Sequence, residues 1–195
     1  MTAAAVEADA QLLGAAQGGD RRAFDQLVRR HKGAIYRLVR RYIGDADEAY
    51  DVLQETFVAA WLALPRFDVQ QAFAPWLRAI ALNKCRDHGR RARVRLRMLT
   101  LFAQDPTASA VSAAGGADPT ASPAAERLQQ LDRALARLPA KYKEPLLLTL
   151  VSGLSQREAA RELGLTEKAV EMRIRRGRQR LVAMLASGLR ATREG

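Results

Sequence analysis

The 195-residue sequence contains one cysteine and two histidines. That is too few for an internal disulfide framework or a four-ligand zinc site. Long apolar runs are missing. The longest, Pro145 to Leu154, falls far short of the ~20 residues that a membrane-spanning helix needs. Basic residues are absent from Met1 to Asp20, where Glu7, Asp9 and Asp20 stand, which argues against a secretory leader. No Ser/His/Asp set, phosphate-binding glycine loop or metal constellation can be assembled. Catalysis, cofactors and a small-molecule substrate are therefore not expected. Strand-like alternation is lacking too, so the fold is expected to be all-α. With 48% apolar residues, the chain has the composition of a globular protein. A cytoplasmic location is expected.

What is abundant is positive charge, with 32 Lys and Arg against 21 Asp and Glu, a net +11. Its distribution says more than its sum. Residues 1–99 hold 17 basic and 11 acidic side chains, and residues 126–195 hold 15 and 8. Between them, residues 100–125 have no Lys or Arg and only Asp105 and Asp118. That segment is rich in Ala, Ser, Gly and Pro, the composition of a flexible linker. Two small basic helical domains joined by such a linker suit a polyanionic partner. The boundaries expected are a tail or short helix over 1–19, a first domain over 20–97, a linker over 98–125, a second domain over 126–186 and a tail over 187–195.

In the first domain, Asp20 can cap a helix with apolar positions Phe24, Leu27, Val28, Ile35, Leu38, Val39 and Tyr42, ended by Gly44. Asp45 and Glu48 have capping-box spacing before a helix through Val52, Leu53, Phe57, Val58 and Trp61, stopped at Pro65. A short aromatic loop leads to a helix from about Pro75 into Arg86–Arg97. In the second domain, Ser122-Pro123 opens a helix running to Leu138-Pro139, and another covers Tyr142 to Leu150.

Residues 155–176 carry the most specific local signal. Ser155 and Glu158 have capping-box spacing, the short helix they start ends at Leu163-Gly164, and Thr166 caps a long helix from Glu167. This is a helix-turn-helix. Ala159 and Ala160 allow close approach, with Val170 and Ile174 locking the second helix to the first. Lys168, Glu171, Met172 and Arg175 then face a major groove, while Arg173, Arg176, Arg178 and Arg180 reach phosphates.

The run Asp51-Val52-Leu53-Gln54-Glu55-Thr56-Phe57, then Trp61, Phe73-Ala74-Pro75-Trp76-Leu77-Arg78-Ala79-Ile80-Ala81-Leu82-Asn83, Arg86-Asp87 and Arg90-Arg91 resembles region 2 of the extracytoplasmic-function (ECF) sigma factors of bacterial RNA polymerase. The stretch Leu135–Pro139, Gly153-Leu154-Ser155, Ala159-Ala160, Leu163-Gly164, Ala169-Val170, Arg173-Ile174 and Arg176-Gly177-Arg178 resembles their region 4. The resemblance implies that Asp51, Leu53, Gln54, Glu55 and Phe57 contact core polymerase. It implies that Arg66, Phe67, Phe73, Trp76, Arg78, Asn83, Lys84, Arg90 and Arg91 melt and read the promoter −10 element, Asn83 holding a flipped base. Ser155, Thr166, Lys168, Glu171, Met172, Arg173, Arg175, Arg176 and Arg178 would serve the −35 element. Core RNA polymerase, promoter DNA and an anti-sigma protein are the implied partners. The Ala74-Pro75 pair departs from the family pattern and implies a helix start one turn later.

Two other functions compete: a sigma-like decoy that only binds an anti-sigma protein, and a stand-alone helix-turn-helix regulator. The Arg clusters at 90–97 and 173–180 argue against a decoy. Gln54 and Glu55 have no task in a stand-alone regulator.

Overall fold

The computed structural model describes residues 3–102 and 123–191. Within them the chain forms helices α1 (Ala3–Gln17), α2 (Arg21–Ile43), α3 (Ala46–Ala63), a 3₁₀ turn (Leu64–Arg66) and α4 (Phe73–Phe102). These are followed by α5 (Pro123–Arg137), α6 (Ala140–Leu150), α7 (Gln156–Leu163) and α8 (Glu167–Ala191). No strand occurs among the described residues. Of the linker expected over 98–125, residues 103–122 lie outside them, as do residues 192–195 of the C-terminal tail.

The helix ends follow from local chemistry. The Asp20 carboxylate accepts from the Arg22 and Ala23 amides at 2.8 and 3.4 Å, satisfying donors that the first turn leaves open. Gly44 closes α2 at φ +93, a conformation favourable only to glycine. Asp45 caps α3 through the Asp47 and Glu48 amides, both at 2.9 Å. The reciprocal half of the expected capping box is not made, because Glu48 turns its carboxylate to His88 Nε2 at 3.2 Å. Helix α4 begins at Phe73, earlier than the Ala74-Pro75 pair suggested. Pro75 falls in its first turn, where a missing N–H costs no hydrogen bond. The helix also continues past Arg97, and its side chains from Arg91 to Leu99 are all exposed.

Helices α2, α3 and α4 enclose the first core, built on Leu27, Leu38, Val39, Val52, Leu64 and Leu77. Residues 3–17 add α1, which covers this core with Leu13 and Ala16. Gln17 Nε2 ties it to the loop after α3 by donating to the Leu64 and Phe67 carbonyls at 2.9 and 2.6 Å. Asp9, nearly buried, accepts from Arg30 at 3.1 Å and lies 2.7 Å from His31 Nε2.

The second core gathers Leu138, Tyr142, Leu146, Leu147, Leu148, Ala159, Val170 and Ile174 from α5 to α8. Gly177 lets α8 cross α6 closely, since a Cβ there would stand 2.7 Å from Leu146 Cδ1. The two cores are in contact, with α2 packed on α5 and α6.

Candidate nucleic-acid interface

The helix-turn-helix forms as its residue types dictate. Ser155 Oγ accepts from the Glu158 amide at 3.2 Å, and the Ser155 amide donates to the Glu158 carboxylate at 2.8 Å. The Ser155 hydroxyl also donates to that carboxylate at 2.7 Å, and this bond, with the amide's, holds the Glu158 carboxyl below the usual range. Gly164 takes φ +63 at the turn, and Thr166 Oγ1 accepts from the Ala169 amide at 3.2 Å. Val170 and Ile174 face inward on Ala159 and Ala160, all four buried. The rest of α8's first turns point out: Lys168, Glu171, Arg175, Arg176 and Arg178 are exposed, and Met172 and Arg173 half-buried. Ser155 and Thr166 are exposed as well, with their hydroxyls engaged in capping. Arg180 lies over the Tyr142 ring, 4.8 Å from its centroid.

On α4 and the loop before it, the aromatic and polar residues divide. Phe67 and Phe73 are buried and Trp76 half-buried, and the three rings pack on one another with centroids 4.5 to 6.1 Å apart. Aromatic side chains at this spacing stack as a brace for the loop, at contact distances that favour offset and edge-to-face pairs. Asn83 is exposed, and its Oδ1 accepts from Arg86 at 2.7 Å. Arg66 and Arg90 are exposed, Arg90 pairing with Asp87. Lys84 and Arg91 converge on Glu55 at 3.8 and 3.1 Å. Arg78 is turned to α7, where its Nε donates to Glu162 at 3.0 Å.

The third surface is the outer face of α3. Asp51 and Gln54 are exposed there and Glu55 half-buried. Leu53 and Phe57 point the other way, 8% and 9% exposed, and support the face from beneath. Beside the half-exposed Tyr50, aliphatic residues also reach solvent on α3, Val58 at 59% and Leu62 at 73%. With Asp51, Gln54, Glu55, Ala59 and Lys84 they line one shallow cleft. Sequence reading missed Leu62 and placed Val58 with the apolar helix positions. Its available signal was position: Val58 and Leu62 lie on the helical stripe of Asp51 and Gln54 rather than that of Leu53 and Phe57.

Glu144, Lys143 and Asp132, which sequence reading did not single out, lie where the two cores meet. Glu144 on α6 is 5% exposed and receives a two-bond fork from Arg86, Nε and Nη2 each at 2.6 Å. That fork keeps the Arg86 guanidinium above its ordinary value. The Tyr42 hydroxyl also donates to Glu144, at 3.3 Å. Lys143 Nζ donates to the Tyr42 and Ala136 carbonyls at 3.0 and 2.8 Å. Burial pushes its ammonium down to about 8 and the neighbouring Cys85 thiol up to about 12. Asp132 on α5 meets Arg40 and Arg41 of α2. Among the described residues, no group of three or more His, Cys, Asp or Glu could hold a metal ion, and no helix is long and apolar enough to cross a membrane.

The two helical units have the make-up of sigma-70-type regions. The family model "Sigma-70 region 2" matches residues 27–95 and "Sigma-70, region 4" matches residues 128–181. The chain is 40% identical over 184 residues to RNA polymerase sigma factor CnrH of Cupriavidus metallidurans, covering 92% of this chain and 95% of that one. It is 36% identical over 177 residues to the ECF RNA polymerase sigma factor SigM of Mycobacterium tuberculosis, covering 91% and 84%. The solved structure of CnrH in complex with the cytosolic domain of CnrY superposes with a TM-score of 0.65 at 37% identity, over 92% of this chain and 98% of that one. The chain belongs to the ECF family of RNA polymerase sigma factors.

Proposed function

We propose that this chain is a dissociable subunit of bacterial RNA polymerase that docks through the outer face of α3 and addresses the enzyme to its promoters by reading −10 and −35 elements. The α3 face carries the reading. Val58 and Leu62 stand in water on a rigid helix, rimmed by Asp51, Gln54 and Glu55, as in an apolar interface centre with a polar rim. A regulator working alone on duplex DNA has no use for that face. Leu53 and Phe57 hold it in place from the core side.

The exposed end of α8 is suited to the −35 duplex. Lys168, Glu171 and Arg175 address base edges and Arg176 and Arg178 the phosphates, because a helix N-terminal half fits the major groove and cations anchor it. Ser155 and Thr166 act by fixing the two helices. At the −10 element, Asn83 captures an unstacked base, while Arg66, Arg78, Lys84, Arg90 and Arg91 attract the strand. Phe67, Phe73 and Trp76 brace the loop that leads into α4. The chain itself performs no chemistry. It acts in the cytoplasm, where the polymerase works, and a protein antagonist restrains it, as the bound CnrY domain in the CnrH structure leads us to infer.

The test is holoenzyme assembly, followed by fluorescence anisotropy of the labelled chain titrated with core polymerase. Val58→Asp with Leu62→Asp should abolish binding without loss of helix content. Full binding by that double variant would refute the docking face.

A further inference from the structure

We propose that the C-terminal helices hold the chain shut by offering carboxylates to the cations of α4 in place of promoter phosphates. The inference rests on the reading of α4 as the −10-facing helix. Its substance is one juxtaposition: Glu144 of α6 and Glu162 of α7 each take a two-bond fork from an α4 arginine, Arg86 and Arg78.

A guanidinium fork fits a carboxylate and a phosphate equally well, because both present two oxygens in one plane. Arg78 and Arg86 therefore cannot serve a DNA strand while Glu162 and Glu144 hold them. Asn83 is drawn in as well, since Arg86 donates to its Oδ1 at 2.7 Å while bound to Glu144. The carboxylates are deeply placed: the Glu144 side chain is 7% exposed and that of Glu162 is 11%. Lys84, Arg90 and Arg91 pair with acids of their own domain. Arg78 and Arg86 thus tie α4 to the second core through these forks. Further crossings start from α2: Arg40 and Arg41 pair with Asp132 of α5, the Tyr42 hydroxyl donates to Glu144, and the Tyr42 carbonyl accepts from Lys143. A long strand of phosphates, or polymerase drawing the domains apart, competes for the same arginines. Binding through an open minority is weakened by the factor by which the open form is rare.

The experiment compares the full-length chain with Glu144→Gln/Glu162→Gln by small-angle scattering and by anisotropy with a fluorescein-labelled single-stranded DNA pool of random sequence. Glutamine keeps the shape and removes the charge. The expected result is a larger radius of gyration with unchanged helix content, and DNA binding about tenfold tighter, the gain set by a tenfold rise in the open fraction. Adding Arg78→Ala and Arg86→Ala should cancel the gain. A radius and affinity equal to those of the unmodified chain overturn the proposal, as does opening without tighter binding, or a gain that survives loss of both arginines. Should the double variant fail to fold, scattering of the unmodified chain decides: expansion between ~0.1 and ~1 M salt supports the ionic closure, and constant dimensions overturn it. If the chain opens but neither form binds single-stranded DNA at all, the −10 assignment of α4 fails and the closure contacts stand without a DNA role, which also overturns the proposal.

Discussion

Gly44 and Ala136 meet where the two halves of the chain touch: a Cβ on Gly44 would lie 3.1 Å from the Ala136 Cβ and 3.5 Å from the Asp132 carbonyl oxygen. The same glycine ends α2 at φ +93. One residue therefore stops a helix and lets α5 approach. Gly44→Ala should lower stability by about 1–2 kcal/mol, from left-handed backbone strain alone, with a further loss at the α5 contact. Urea unfolding measures it, and an unchanged midpoint would count against the close approach.

Removing the cap of α7 separates folding from reading. Ser155→Ala should cost about 1 kcal/mol and weaken duplex binding through a frayed α7. It should also return the Glu158 carboxyl part of the way toward its ordinary value, because the Ser155 hydroxyl is the largest influence holding it down while the amide of residue 155 remains. The folded-state value being depressed, the stabilisation is present above the ordinary glutamate value and is lost as pH falls through the depressed one. Carbon-detected NMR titration of Glu158 in both proteins checks this. Identical titration curves would contradict the capping assignment.

Arg176 is exposed on α8, whereas Arg180 is spent on the Tyr142 ring. Arg176→Ala should weaken duplex binding on all sequences and reduce the slope of log affinity against log salt by about one. Arg180→Ala should act mainly on stability. Anisotropy at several salt concentrations distinguishes the two, and equal slopes for Arg176→Ala and the unmodified chain would reject the phosphate role.

Alkaline pH tests the polar contact between the cores. Between about 8 and the ordinary lysine value of 10.5, the unfolded chain holds a proton on Lys143 that the folded chain lacks, so stability rises with pH. Cys85 works in the opposite sense. Its thiol, raised by burial from 9.0 to about 12, keeps a proton that the unfolded chain releases, so stability falls across that window. Tyr42, also raised by burial and by Glu144 from 10.0, adds to the fall. The melting temperature should climb from about pH 8 to 9, flatten where the effects oppose, and decline above about 10.5. Lys143→Met should remove the climb, and a climb that persists would exclude Lys143 as its source.

Much of this architecture is legible in the chain because it is written locally. Asp20, Asp45, Ser155 and Thr166 each cap the helix they precede, and Gly44 and Gly164 sit at turns with positive φ. Such signals need only neighbours within about one helical turn. The surfaces are harder. Helical periodicity places Leu53 and Val58 alike among apolar positions, yet one is 8% and the other 59% exposed, because burial depends on which stripe α2 and α4 cover. Phe67, Phe73 and Trp76 look equally suited to a base or to each other until their rings are seen packed together. The least legible feature is the contact between domains. Arg86 finds Glu144 at a separation of 58 residues, and Arg78 finds Glu162 at 84. No local spacing signals such pairs, and Glu144 reads as an ordinary solvated acid until α4 and α2 are laid over it.

The base-capturing role of Asn83 separates polymerase binding from strand opening. Asn83→Ala removes an exposed amide, so holoenzyme should assemble normally while open-complex formation on duplex promoter falls. Permanganate footprinting reads the opened strand, and equal loss of assembly and opening would point to misfolding instead.

The account turns on the chain being an address carried by polymerase, and run-off transcription with core polymerase and a random promoter library tests that most directly. The predicted result is transcripts from discrete start sites that share two upstream sequence elements, lost with Val58→Asp/Leu62→Asp. Transcription no greater than that of core polymerase alone, from a chain that is folded and binds DNA, would contradict it.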